Sequence, residues 1–155
     1  MTLYVFALLI GVDSGARTFT APAAVSWAAH LGWLHLRNTP LGFLAASVTP
    51  YILTLLAIGE LITDKLPTTP SRKAPVGFIA RIVSGAFCGA AIGATGGVAT
   101  GGLIAGALGA VIGTFGFYEF RSRLVKAIGG RDLPIALLED ACAIAGAILI
   151  VEAAA

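Results

Sequence analysis

Residues 76–120 read VGFIARIVSGAFCGAAIGATGGVATGGLIAGALGAVIGTFGFYEF, a stretch in which Arg81 and Glu119 are the only charged side chains. A helix rises about 1.5 Å per residue and the hydrocarbon core of a bilayer is about 30 Å thick, so roughly 20 apolar residues cross it once. This stretch is therefore long enough to cross twice, through 76–97 and back through 99–120, turning at the uncharged TGG repeats that begin at Thr95 and Thr100. Gly85, Gly89, Gly93 and Gly97 recur at every fourth position, and Gly109 and Gly113 repeat the spacing on the returning arm. Residues four apart share a helix face, so each arm carries a smooth strip on which another backbone can lie, either a neighbouring helix or a second subunit. The TGG turns lack a following GK[ST] or a preceding strand, which argues against a phosphate-cradling loop.

The rest of the chain continues the pattern. Further charge-poor runs cover 3–12, 20–36, 41–62 and 134–153. The runs 41–62 and 134–153 are long enough to span, 20–36 is a little short, and 3–12 is much too short. The first run reads as a half-helix or one arm of a broken helix, with Asp13, Ser14, Gly15, Ala16 and Arg17 as the break. The path of residues 1–36 is left open. Of the 155 residues, 57% are hydrophobic and 12% charged, and mean hydropathy is +0.92, whereas a soluble domain carries about 25% charged residues. One all-α domain, a polytopic transmembrane bundle over residues 1–155, is the fold class these numbers support. No basic n-region precedes the first apolar run, which argues against a cleaved signal peptide. A net charge of +2 and the lack of an aromatic-interleaved basic stripe set nucleic acid aside.

Basic residues concentrate in two connections. Thr63 to Pro75 holds Lys65, Arg72 and Lys73, and Arg121 to Leu133 holds Arg121, Arg123, Lys126 and Arg131. By the positive-inside rule both face the cytoplasm, here that of a bacterial inner membrane, and an even number of crossings between them is self-consistent. Arg37 to Pro40 and the carboxy terminus then lie outside.

On that topology the ionisable residues gather near one face. Asp13 and Arg17 sit in the break, Glu60 and Asp64 end the third run, Arg81 opens the fourth, and Glu119 and Arg121 end the fifth. Glu139 and Asp140 follow Pro134 closely, about 8 Å into the last helix. A carboxylate at that depth costs a few kcal/mol unless it pairs, snorkels or reaches water. Arg81 and Arg17 are the candidate partners, with Arg81 expected to take Asp140. Such charges are either structural ion pairs or the lining of a water-accessible vestibule. Glu60 and Asp64 are four apart on a helix and can aim at one divalent cation, although two oxygen ligands are a thin set. No other cofactor is implied.

Cys88 and Cys142 lie in apolar runs, with no CxxC or His-paired spacing. His30 and His35 accompany Trp27 and Trp33 at the far end of the second run, as interfacial residues do. Both histidines thus fall opposite the acidic cluster, which excludes a nucleophilic triad.

The pieces GVDSGARTFTAPAA (11–24), ELITDKLPTTPSRKAP (60–75), ARIVSGAFCGAAIGA (80–94) and DLPIALLEDACAIAGA (132–147), in this order, resemble a bacterial family of small membrane proteins catalogued as domain of unknown function 4126. The resemblance implies a stand-alone helical membrane domain and carries no activity or site assignment. Three functions compete. A small transporter or channel uses the break and the acids as an ion site, with glycine strips at contacts of a homo-oligomer. A binding protein or enzyme for a phosphorylated lipid uses the basic loops for phosphate and a divalent cation on the acids. A packing or assembly subunit of a membrane complex uses its charges for partner proteins.

Overall fold

The computed structural model describes residues 1–66 and 74–155. Within them the chain forms α1 (Thr2–Ala16), α2 (Thr20–His30), a short 3-10 turn (Gly42–Ala45), α3 (Thr49–Thr63), α4 (Pro75–Ala94), α5 (Ala99–Ala127) and α6 (Asp132–Ala154), with no strand. Proline punctuates this order. Pro22, Pro50, Pro75 and Pro134 each lie in the first turn of a helix, where the missing N–H breaks no intrahelical bond. Gly97 turns α4 into α5 with φ 73°, a conformation that side chains with a Cβ rarely adopt.

Among the described residues α4, α5 and α6 are long and apolar enough to cross a membrane. The run 41–62, expected to span as one helix, is divided instead. Residues 42–45 close a 3-10 turn, Pro50 starts the helix afresh, and α3 keeps only 15 residues, about 22 Å. Gly97, expected on the packing strip, lies in the turn instead. The second basic connection is mostly helix, because α5 runs on to Ala127 and carries Arg121, Arg123 and Lys126 in its last turns. In the first basic connection, Arg72, Lys73, Pro67 and Pro70 lie outside the described residues.

The glycines set how the long helices meet. Gly85, Gly89 and Gly93 of α4 face Gly106, Gly102 and Val98 of α5, so that a Cβ on Gly85 would lie 2.7 Å from the Gly106 carbonyl oxygen. On α5, Gly109 and Gly113 face α1, where a Cβ at either would lie 2.9 Å from a Val12 backbone atom. Gly11 and Gly15 complete the contact from α1. The strips therefore join helices of one chain, which corrects their expected place at subunit contacts. Close approach of this kind gives van der Waals packing that lipid tails cannot match.

Leu3 faces Gly96 and Tyr4 faces Gly101, so α1 begins beside the α4–α5 turn and runs parallel to α5. Its last residues reach Thr114. After a three-residue link, α2 returns to the starting end, where Val25, Ala28 and Ala29 join Ile92, Val151, Leu34 and Leu44 in the apolar core. The first two helices thus form a re-entrant hairpin that enters and leaves at one end. Outside, Leu55, Val76, Ile79, Val83, Leu108, Ile112 and Leu149 are exposed, an apolar belt suited to lipid rather than water.

Candidate functional site

The tip of the hairpin is where the charges meet. Arg17 leaves the helix with φ −138° and ψ 123°, and its N–H still donates to the Asp13 carbonyl at 3.0 Å. Every helix end exposes unpaired backbone groups, and two ends inside a bilayer need partners that water cannot supply. Glu60 of α3 supplies them for α2, accepting from the backbone N–H of Thr18 at 2.7 Å and of Phe19 at 2.8 Å. Its negative charge also suits the positive end of the α2 dipole. Ser84 of α4 donates its hydroxyl to the Thr18 carbonyl at 2.5 Å. Sequence offers no sign of these backbone partners, because every residue carries the same amide.

Arg17 is wholly buried and lies between two aspartates from different helices, Nη1 on Asp64 Oδ2 at 2.5 Å and Nη2 on Asp140 Oδ1. Lys65 Nζ reaches the other oxygen of Asp140 at 2.6 Å. Arg121 Nη1 meets Asp64 Oδ2 at 3.1 Å and Glu139 Oε2 at 3.4 Å, while its Nε and Nη2 grip Asp132 at 2.9 and 2.7 Å. The network ties the hairpin tip to α3, α5 and α6 at once. It lies below the surface: Asp140 is eight residues into α6 and Ser84 nine beyond Pro75, which puts the tip about 12 Å inside the basic ends of those helices.

Of the residues singled out from sequence, Arg17, Glu60, Asp64, Glu139, Asp140 and Arg121 come together here. Arg17, and not Arg81, is the arginine on Asp140; both start within reach by depth, but only the break turns its side chain toward α6. Arg81 is buried on α4 and donates from Nη1 to the Gly77 carbonyl at 3.2 Å. Glu119 stands apart, exposed and paired with Arg123 along α5 at 2.9 Å. Asp13 is buried on α1, toward α6 and α4 rather than in the ion-pair network. Lys65 and Asp132 join the network without having been singled out; their place beside Asp64 and at the start of α6 was the available signal.

The network limits what the site can do. Glu60 faces two amides and Asp64 two arginines, so neither carboxylate is turned to a shared cation, and among the described residues no group of three His, Cys, Asp or Glu is arranged to hold a metal ion. His30 lies at the opposite end, with Nδ1 3.2 Å from the Ala45 carbonyl. Cys88 is buried and Cys142 exposed, both as free thiols. Beyond the tip, a cavity of about 230 Å³ lies between α2, α3 and α6, with apolar walls that include Ala23, Trp27, Ala57 and Ile144 and with Thr20 at its lining.

Helices long enough to cross a bilayer, a lipid-suited exterior and a re-entrant hairpin closed by buried ion pairs define a polytopic helical membrane protein. The model of the domain of unknown function family DUF4126 matches residues 5–155, and the chain belongs to that family. No curated protein and no solved structure matches it.

Proposed function

We propose that the protein is a small transporter or channel in which the α1–α2 hairpin closes the path and the Arg17 network latches it. The observation that carries this reading is the broken helix itself, two helix ends meeting inside the bundle with a fully buried arginine held by Asp64 and Asp140. Discontinuous helices with buried ionisable groups are the usual material of ion and solute pathways. The latch is strong but reversible. Removing one partner of a buried pair costs about 3–5 kcal/mol, yet Asp140 and Asp64 each have a second cation to fall back on, Lys65 and Arg121. The apolar cavity behind the tip gives the hairpin room to shift.

By the positive-inside rule the basic ends face the cytoplasm of a bacterial inner membrane, and the latch is then reached from inside. Because the glycine strips are used within the chain, a homo-oligomer would form through the apolar outer faces, most openly that of α3, where Tyr51, Ile52, Leu55 and Ile62 are exposed. The same face would serve an assembly subunit of a membrane complex. A phosphorylated lipid held with a divalent cation is less well supported, since Glu60 already occupies the amides at the start of α2 where a phosphate would sit.

Flux of protons, potassium and small anions in proteoliposomes tests the proposal. Native protein is expected to pass at least one of them, and Asp64→Asn with Asp140→Asn, which unlatches Arg17, to change the rate by tenfold or more (~1.4 kcal/mol). Absence of flux from native and unlatched protein alike would contradict it.

A further inference from the structure

We infer that Asp13 is a proton-binding site, neutral while the hairpin is closed and ionised when water reaches its tip. Asp13 is 6% exposed, and its Oδ2 is buried with no hydrogen-bond partner. Small groups surround it. A Cβ on Gly146 of α6 would lie 3.4 Å from its Oδ1. Thr20, at the start of α2, is also buried with an unpartnered hydroxyl. Arg17, one turn along the chain, gives Nη1 and Nη2 to Asp64 and Asp140, and its buried Nε has no hydrogen-bond partner.

Among the described residues no cation pairs with Asp13. Glu60 of α3 is committed to the amides of Thr18 and Phe19. From α6, Glu139 and Asp140 lie toward the basic end and are themselves paired. From α4, Arg81 donates to Gly77 within its own helix. The face of α5 against α1 presents Gly109, Gly113 and Ala110 and no ionisable group. A buried neutral carboxyl without a partner is costly, and an isolated buried carboxylate costs several times more. The Asp13 carbonyl also holds the Arg17 N–H, so Asp13 and the break are joined through the backbone. Protonation stands on these surroundings alone; its coupling to movement of the hairpin rests on the transport reading above.

Infrared difference spectroscopy in reconstituted bilayers reads the proton directly. Native protein minus Asp13→Asn is expected to show the C=O band of a protonated carboxyl at neutral pH. Loss of carboxylate bands in its place would overturn the inference. Asp13→Asn has the shape of the neutral acid, and Asp13→Ser provides a second variant should the first misfold. In proteoliposomes Asp13→Asn is expected to abolish the pH dependence of flux. Unchanged pH dependence would overturn the coupling. If the band is present and native protein passes nothing, the proton site stands and the transport reading fails.

Discussion

One side of α1 is held by the absence of side chains and its end by the strongest side-chain interactions in the molecule. Along α4 and α5, Gly11, Gly15, Gly85, Gly106, Gly109 and Gly113 let backbones touch, and nothing polar is needed. At the tip, Arg17, Asp64, Asp140 and Glu60 tie the hairpin to α3 and α6 through charge. The two devices differ in how they fail. A glycine contact has one geometry and tolerates no added atom, whereas an ion-pair network with spare partners can be rearranged. The glycine sector is accordingly the fixed frame, and the charged sector the part able to change state.

The largest expected effect is on the frame. Gly109→Leu or Gly89→Leu drives a side chain into backbone and should cost at least about 3 kcal/mol, the upper range for overpacking. Folded, monodisperse protein in detergent should be lost, while Gly116→Leu, which meets open space, should leave yield and elution unchanged. Equal behaviour of the two variants would erase the contrast. Next comes the latch. Arg17→Met leaves the buried Asp140 and the half-buried Asp64 without their shared cation and should destabilise by about 3–5 kcal/mol. Adding Asp140→Asn should recover part of that loss, so that thermal unfolding shows the double variant milder than the sum of the single ones. Strict additivity would mean that Arg17 and Asp140 act separately.

Glu60→Gln keeps only one of the two oxygens that accept from Thr18 and Phe19 and turns an NH2 toward the other amide, for an expected cost of about 1–3 kcal/mol. An unchanged melting temperature would show that these two bonds do not hold the start of α2. The smallest effect is expected at Arg123→Ala, because its pair with Glu119 is exposed on α5 and such pairs contribute little. A measurable change in melting temperature there would show that the outer charges belong to the network.

Much of the frame is legible in the chain. Charge-poor runs bounded by proline and basic residues give α4, α5 and α6, whereas the break expected at Asp13 to Arg17 falls later, since Asp13–Ala16 stay in α1 and the link is Arg17, Thr18 and Phe19. The glycine strip was only half visible. Gly11 with Gly15 and Gly102 with Gly106 have the same four-residue spacing, but nothing in spacing says which strip meets which. The partner of Asp140 was misread for a related reason. Depth in the membrane follows from residue counts, whereas direction around a helix changes by about 100° per residue and is set by packing. Lys65 and the amides under Glu60 depend on which way the end of α3 faces, and residue counts give only its depth.

The path of the first two helices can be tested directly by thiol labelling. In a background without Cys88 and Cys142, single cysteines at Thr2, Asn38, Thr95 and Ser122 would be exposed to a membrane-impermeant reagent in sealed vesicles. The re-entrant hairpin requires Thr2, Asn38 and Thr95 to label from one side and Ser122 from the other. Labelling of Thr2 and Asn38 from opposite sides would mean that the chain crosses between them, and the broken helix, with the latch built on it, would be contradicted.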